Sequence, residues 1–242
     1  MMKSLLTCFA CVMVAVLTTT NVQADLVAGW DFQTTANGGT ATAASPNTPK
    51  QYTANFGSGA MFLNGLNGSS DWFVPASGTT NTELNAFGGT ALNAGPGFST
   101  TTSGAASLAI VNQTANSKNI VFRFSMAGFQ DLDVSYATQR TSTGFTTQSW
   151  SYSTDGVAWT NHDAFSTIAT AFEVKNLSRI TALNGAADAY LRLTVTGASA
   201  ASGNNRLDNI QFNASAVPEP TSILLASTVA LGGAFYRFRR KR

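Results

Sequence analysis

The strongest constraint on the fold of this chain is a period of two in its apolar residues. Five segments alternate an apolar side chain with a polar or small one, and stretches rich in Gly, Asn, Ser and Thr separate them. Successive side chains of a strand point to opposite faces, so this alternation predicts strands with one buried face. The residues that share the apolar face of their segment are Leu26, Ala28, Trp30 and Phe32; Ile120, Phe122, Phe124 and Met126; Leu132, Val134 and Tyr136; Leu191, Leu193 and Val195; and Ile210 and Phe212.

Long segments of helical periodicity are missing from the body of the chain, so we expect an all-β fold. Many short strands joined by polar loops are typical of a two-sheet β-sandwich, here predicted for residues 25–212 and of jelly-roll type. Jelly rolls commonly bring their two ends together, which predicts that the strands around Trp30 and Phe212 are neighbours. A tight hairpin is expected at Ser153-Thr154-Asp155-Gly156, and one short helix within 172–185.

The first 24 residues have the character of an export signal. A short basic start precedes an apolar core from Leu5 to Leu17, and Val22-Gln23-Ala24 has the small-residue pattern that signal peptidase accepts. We therefore predict a signal peptide over residues 1–24. Both cysteines, Cys8 and Cys11, lie inside it. The exported chain would then carry no thiol and no disulfide, which excludes cysteine catalysis and cysteine metal sites.

The charge distribution argues against nucleic acid as a partner. The net charge of +2 comes from 14 basic and 12 acidic residues. The body contains no run of Lys or Arg, as a nucleic-acid surface would require. Much of the positive charge is grouped in a cluster at the end of the chain. This basic cluster consists of Arg237, Arg239, Arg240, Lys241 and Arg242.

The tail combines three features in a fixed order. A short linker is predicted at 213–217, followed by Pro218-Glu219-Pro220, by an uncharged apolar stretch, and by the basic cluster. We expect a membrane helix at about 221–238 that stands off the body. Its uncharged part, 221–236, would be about 24 Å long at 1.5 Å per residue, so it spans a bilayer core only with help from its flanking residues. The basic cluster gives a positive-inside signal.

In the order and spacing of these parts, residues 217–242 resemble a PEP-CTERM sorting signal. The resemblance implies export, transient anchoring in the inner membrane, recognition by an exosortase and cleavage near Pro218-Glu219-Pro220. It further implies delivery to the cell surface or to an exopolysaccharide matrix. Because prolines keep the backbone extended, a membrane-embedded enzyme can reach the motif.

The body offers no recognisable catalytic motif. The single histidine, His162, lies beside Asp163, and adjacent residues on a strand point to opposite faces. Its carboxylates form no recognisable pair of the kind that glycoside hydrolysis requires. We therefore expect a non-enzymatic structural or adhesive role. A glycan-binding module of the extracellular matrix is the alternative, and a secreted glycosidase is a third class.

Two features of the body bear on ligands. Asp208 shares its parity with Ile210 and Phe212, so it should face inward and need a partner. The stretch 206–212 resembles the closing strand of jelly-roll carbohydrate-binding modules, which implies a structural calcium at Asp208; Arg206 or a backbone-rich loop would satisfy it as well. The aromatic residues form either core or, if exposed, a sugar-stacking surface. These candidates are Trp72, Trp150, Tyr152 and Trp159.

Overall fold

Thirteen strands are found in the part of the chain that the computed structural model describes, residues 24–33, 51–62 and 83–217. All of their pairings are antiparallel. The strands are β1 (Asp25–Trp30), β2 (Gln51–Thr53), β3 (Phe56–Gly57), β4 (Gly59–Phe62), β5 (Leu84–Phe87), β6 (Ser107–Val111), β7 (Asn119–Phe124), β8 (Phe129–Arg140), β9 (Thr147–Ser153), β10 (Thr160–Phe165), β11 (Glu173–Asn176), β12 (Ala189–Thr196) and β13 (Asn204–Ala216).

The strands form two sheets. In sheet I the order is β11-β8-β13-β1-β3, and β6 pairs with the first half of β13 and with β5. In sheet II the order is β10-β9-β12-β7-β4-β2. The long strand β13 is central, because β8 follows one of its edges while β6 and then β1 follow the other.

The core between the sheets is built around aromatic rings. Trp30 and Phe212 belong to sheet I, and Phe122 of sheet II meets both edge-on, with ring centroids 5.2 and 5.3 Å away. Trp150 of sheet II stacks on Phe122 at 5.8 Å. Such pairs contribute about 0.5–1.5 kcal/mol each beyond the burial of their area. The predicted apolar faces of β7, β8, β12 and β13 thus form one core with that of β1, except that Val27 replaces Leu26, because the register of β1 shifts between Leu26 and Ala28.

A chain of buried polar groups crosses the same core. The Trp150 indole N–H donates to the Tyr136 hydroxyl at 3.0 Å, and this hydroxyl donates to Gln148 Oε1 at 2.7 Å. The Gln148 amide donates to Thr138 Oγ1 at 2.9 Å. Burial raises the pKa of Tyr136, which keeps it a neutral donor. Because every member has a partner, the chain ties β8 to β9 and fixes how the two sheets face each other.

The prediction that the first and last strands are neighbours is confirmed. β1 pairs with β13, with Trp30 opposite Ile210 and Ala28 opposite Phe212. The two-sheet, all-β prediction is also confirmed for the described residues.

Two predictions of local structure are wrong. The segment 172–185 contains β11 instead of a helix, since Glu173–Asn176 pairs with the edge of β8 and Ile180 forms a bridge to Leu132. Pairing with an open strand edge here overrides helical propensity. The linker predicted at 213–217 is mostly strand, because β13 continues to Ala216 beside β8.

Other predictions fall on residues outside the described ranges. These are the signal peptide except Ala24, the tail from Pro218 onward, and Trp72. Within the described ranges, no helix has the length and apolar character needed to cross a bilayer.

Candidate functional site

A bulge in β13 sets the position of Asp208. The register between β13 and β8 shifts between Asp208 and Gln211, and Asn209 has a φ of 47°. Asparagine tolerates this left-handed conformation better than most residues. Leu207 before the bulge and Ile210 after it both belong to the core. Asp208 therefore points away from the core, to the outer face of sheet I. The predicted inward orientation is wrong, although the residue is fully buried as expected.

Asp208 is buried because residues 88–106, here called the cover segment, lie over the outer face of sheet I. One carboxylate oxygen of Asp208 accepts a hydrogen bond from the backbone N–H of Thr90 at 2.8 Å, and the other accepts from the N–H of Asn209 at 2.9 Å. The Asn209 side-chain amide donates to the carbonyl oxygens of Thr90 and Leu92 at 2.8 and 2.9 Å. Two adjacent residues of β13 thus hold one end of the cover segment.

The backbone at Gly89 packs closely against Asp208. A Cβ placed on Gly89 would collide with the Asp208 carboxylate and lie 2.9 Å from the Ala106 carbonyl oxygen. Asn93 donates from its amide to the Asn209 carbonyl oxygen at 2.7 Å and to the Ser135 hydroxyl at 3.1 Å. The cover segment is therefore fixed in position by side chains of β13 and β8.

The other end of the cover segment is held by a second buried carboxylate, Asp31. It follows β1 and is fully buried. Its oxygens accept hydrogen bonds from the backbone N–H groups of Ser99 at 2.8 Å and Gln33 at 3.1 Å. Beside it, the Phe98 ring stacks on Phe56 of β3 with centroids 4.3 Å apart and planes 11° from parallel.

The electrostatics of Asp208 follow from this environment. Burial raises its pKa to about 7, the nearby charge of Asp31 adds to the rise, and the hydrogen bonds from Thr90 and Asn209 partly oppose it. Among the described residues, no Lys, Arg or His forms an ion pair with Asp208. Arg206, a candidate partner, instead donates to the Gly88 carbonyl oxygen at 3.2 Å and lies over the Phe87 ring. The hydrogen-bond partners of Asp208 are therefore backbone N–H groups, those of Thr90 in the cover segment and of Asn209.

The donors near Asp208 are of one chemical kind. Within the described ranges, no cluster of three or more His, Cys, Asp and Glu is present. The available groups are the carboxylates of Asp208 and Asp31 and the side-chain oxygen of Asn209, which is buried without a hydrogen-bond partner. Oxygen donors of this kind fit a hard cation such as Ca²⁺ and do not fit zinc or copper, which prefer nitrogen and sulfur.

The structure does not bring the aromatic candidates together. Trp150 is 2% exposed and lies in the core, and Tyr152 packs against that core on the same face of β9. Trp159 lies half-buried on the outer face of sheet II, where the Arg192 guanidinium stacks on its ring at 4.3 Å. A stacking surface that includes Trp150 and Tyr152 is therefore wrong, and the core interpretation holds for these two.

The predicted hairpin is confirmed, but residues 154–159 connect β9 to β10 in a loop that is longer than the expected tight turn. Asp155 accepts hydrogen bonds from the N–H groups of Val157 and Ala158, both at 2.8 Å, and Gly156 has a φ of 72°. These N–H groups lower the pKa of Asp155. The Ser153 hydroxyl donates to Asp155 at 2.8 Å and accepts from the Gly156 N–H.

The expectation that His162 and Asp163 point to opposite faces is wrong, because His162 Nε2 lies 3.5 Å from the Asp163 carboxylate where the register of β10 shifts. Within the described ranges, no serine hydroxyl donates to His162. Its Nε2 lies 2.8 Å from the Ser178 carbonyl oxygen. The Ser178 hydroxyl donates to Asp163 at 3.2 Å rather than to the histidine. A serine activated by a base would need the hydroxyl to donate to the imidazole.

Sequence reasoning identified Asp208 but missed Asp31, Asn209, Thr90 and the cover segment. The composition of residues 88–104 is typical of a long polar loop and does not indicate which surface they cover. The available signal was the pair of adjacent polar residues at 208 and 209 inside an apolar strand, which is typical of a bulge.

Comparison with known proteins finds only distant similarity. No family model matches the chain, and no curated protein matches it. The CBM36-1 domain of a multidomain xylanase from the hindgut metagenome of Trinervitermes trinervoides is 12% identical, covering 46% of this chain and 79% of that chain, with a TM-score of 0.34. A carbohydrate-binding module CBM36 in complex with calcium and xylotriose is 19% identical over 43% and 78%, with a TM-score of 0.32. The K2 cleaved adhesin domain of Lys-gingipain (Kgp) is 11% identical over 57% and 93%, with a TM-score of 0.35. At these TM-scores, we base no functional argument on the likeness.

Proposed function

We propose that this chain is an exported, non-enzymatic protein of the cell surface or exopolysaccharide matrix, sorted by its C-terminal signal. The observation that carries the proposal is the succession of Pro218-Glu219-Pro220, an uncharged apolar stretch and the basic cluster directly after the last strand. Signal peptidase removes residues 1–24, the tail anchors the protein transiently in the inner membrane, and an exosortase cleaves near the Pro-Glu-Pro motif.

Intact-mass measurement of the surface protein tests this proposal. We expect a chain that begins at Asp25 and ends near Glu219 or Pro220. Deleting the exosortase should leave the full tail in the inner-membrane fraction. As a matched control, the Pro218→Ala/Pro220→Ala variant should accumulate there in the presence of the enzyme, because the extended backbone at the motif is lost. A surface protein that retains Arg242 would make the tail a permanent anchor and contradict the proposal.

A second candidate function is the binding of matrix polysaccharide. The observation that favours it is the position of Trp159, whose ring lies on the outer face of sheet II against the guanidinium of Arg192. Aromatic rings with adjacent polar donors suit the apolar face and the hydroxyl groups of a sugar. Affinity electrophoresis in gels that contain the host exopolysaccharide tests this role. Retardation of the wild-type protein but not of Trp159→Ala supports it. Equal mobility of Trp159→Ala and of the hairpin-tip control Val157→Ala contradicts it.

We further propose that Asp208, Asp31 and the Asn209 side-chain oxygen hold a structural Ca²⁺ under the cover segment. The supporting observations are the Asn209 side-chain oxygen, which is buried without a hydrogen-bond partner, and the buried carboxylate of Asp208, which forms no ion pair with the described residues. The bound ion would supply the positive charge that offsets the Asp208 carboxylate. Calcium at about 1–10 mM, above the dissociation constants of about 0.1–1 mM that are typical of extracellular modules, should then raise the melting temperature at neutral pH. The rise should vanish in Asp208→Asn. No rise in the wild-type protein would show that a proton neutralises Asp208 instead.

A further inference from the structure

Both ends of the folded body lie at one end of the sandwich. Asp25, the first residue of β1, pairs with Ala214 near the end of β13. β13 continues to Ala216, and the Val217 N–H still donates to the Gly128 carbonyl oxygen at 2.8 Å. The folded structure therefore extends to the residue immediately before the Pro-Glu-Pro motif.

We call this end the terminal pole, formed by Asp25, Val217 and the loops 125–128 and 183–188. The two loops are hydrogen-bonded to each other and to β8. The Met126 N–H donates to Ala186 at 2.8 Å, and the Gly185 N–H donates to Phe129 at 2.9 Å. These contacts fix the loops, so the pole is a defined surface.

The terminal pole presents mainly small and uncharged residues. Its exposed acidic residues are Asp25 and Asp188, and Asp188 forms an ion pair with Arg123 at 2.7 Å. The exposed uncharged residues are Ser125, Ala127, Gly128, Asn184, Gly185 and Ala187. Such a surface can lie against a polar lipid headgroup layer without burying an unpaired charge of these loops.

The length of the connection to the predicted membrane segment is the deciding quantity. Only Pro218, Glu219 and Pro220 separate Val217 from residue 221, where the apolar stretch begins. Three extended residues span about 10 Å at most. The headgroup layer on one side of a bilayer is about 5–8 Å thick, which is half the difference between the full bilayer and its hydrocarbon core. Almost no chain is left to separate the body from the membrane.

We infer that, while its tail is inserted, the sandwich stands on the membrane with the terminal pole against the lipid headgroups. This inference rests on the membrane-inserted tail of the proposed function. β8 and β13 then point away from the membrane. The loops at their far end, around residues 141–146 and 197–203, lie about 35–40 Å out, since β8 alone has 12 residues at about 3.3 Å each.

Single thiols can test this orientation in the full-length chain. With Cys8 and Cys11 replaced by Ala, an introduced cysteine is the only thiol. We would place it in three variants at exposed loop alanines: Ala127→Cys and Ala187→Cys at the terminal pole, and Ala201→Cys at the far end. Each protein, produced without an exosortase, is labelled with a fluorophore and reconstituted in vesicles of phosphatidylethanolamine and phosphatidylglycerol that contain headgroup-quencher lipid.

The expected result is quenching several-fold stronger at positions 127 and 187 than at 201. Inserting 20 Gly/Ser residues between Val217 and Pro218 adds a reach of about 25 Å and should abolish this difference, while the protein still floats with the vesicles. Equal quenching at all three positions in floating protein would overturn the inference alone. Protein that does not float would overturn the membrane-anchored tail, and with it the proposed function.

Discussion

The outer faces of the two sheets differ in what covers them. On sheet I, the cover segment buries Asp208 completely, together with the small residues Ala109 and Ala137 of the neighbouring strands. On sheet II, the outer face carries buried residues such as Ser151 and Tyr190, and at one end the pair of Arg123 and Asp188, with half of each side chain accessible. In the sequence, the residues of both outer faces are mainly polar or small and alternate with the apolar core residues.

This difference shows that period-two alternation identifies which residues share a face but not what that face meets. An aspartate on the face of sheet II is solvated and paired. An aspartate on the face of sheet I is buried, has a raised pKa and holds a loop. We therefore expect the same type of substitution to have very different effects on the two faces.

The largest contrast is expected between Asp208→Ala and Asp188→Ala. Asp208→Ala leaves the buried N–H groups of Thr90 and Asn209 without acceptors, which should lower the free energy of unfolding by about 2–5 kcal/mol. Asp188→Ala removes an exposed partner and should cost less than about 1 kcal/mol. Chemical denaturation measures both, and limited proteolysis within 88–106 reports release of the cover segment. Equal losses for the two variants would mean that Asp208 does not hold it.

A smaller effect is expected from pH, measured with a chelator present. The pKa of Asp208 is about 7 in the folded protein, against the ordinary 3.8. Between these values the folded state holds a proton that the unfolded state releases, so the free energy of unfolding falls as pH rises from about 4 to about 7. Above about pH 8, Asp208 is ionised in both states, and the free energy of unfolding no longer changes with pH through this group. Subtracting the pH profile of Asp208→Asn isolates the effect. A difference profile that is flat from pH 4 to 8 would contradict the raised pKa.

A further test of the outer face of sheet I concerns the Phe98 ring of the cover segment. A Cβ on Gly29 of β1 would lie 2.5 Å from Cζ of the Phe98 ring, which must then shift away from Phe56. We expect Gly29→Ala to destabilise the fold by about 1–3 kcal/mol through overpacking. Adding Phe98→Leu should recover part of this loss, as a double-mutant cycle would show. Strictly additive losses would place the ring elsewhere.

The smallest effect is expected from Arg123→Ala on the outer face of sheet II. Its ion pair with Asp188 is exposed, and its guanidinium lies 5.9 Å from the centre of the Tyr190 ring. Exposed pairs of this kind contribute about 0–1 kcal/mol. A melting temperature close to that of the wild-type protein is the expected result. A loss of stability as large as that of Asp208→Ala would mean that the Arg123–Asp188 pair is not exposed to solvent.

The sequence predicted the parts of the fold that depend on local alternation. The core faces around Trp30, Phe122 and Tyr136 could be assigned because alternation holds from Ala28 to Trp30, along β7 and from Leu132 to Tyr136. Pairing of the two terminal strands followed from the expected sandwich type. The hairpin at Asp155 was predictable because its geometry depends on neighbouring residues alone.

The missed features depend on tertiary contacts. The bulge at Asn209 adds one residue to the strand between Asp208 and Ile210. Strict alternation would place both side chains on the same face, whereas the bulge places Asp208 on the outer face. Parity groups Trp150 with Tyr152 but does not determine that their face is the buried one. The partners of Asp31 and Asp208 are backbone N–H groups, which every residue has and which no sequence pattern can single out.

The central place of β13 has a consequence for the order of folding. β1 emerges first, but its partner residues lie about 180 positions later in the chain, as with Trp30 and Ile210. Sheet I can be completed only after residues 204–216 have been synthesised, and contacts of such high sequence separation form slowly. The chain should therefore remain open through most of its synthesis and fold after its last strand is delivered. Under the proposed export, late closure would keep the chain unfolded until it has crossed the membrane.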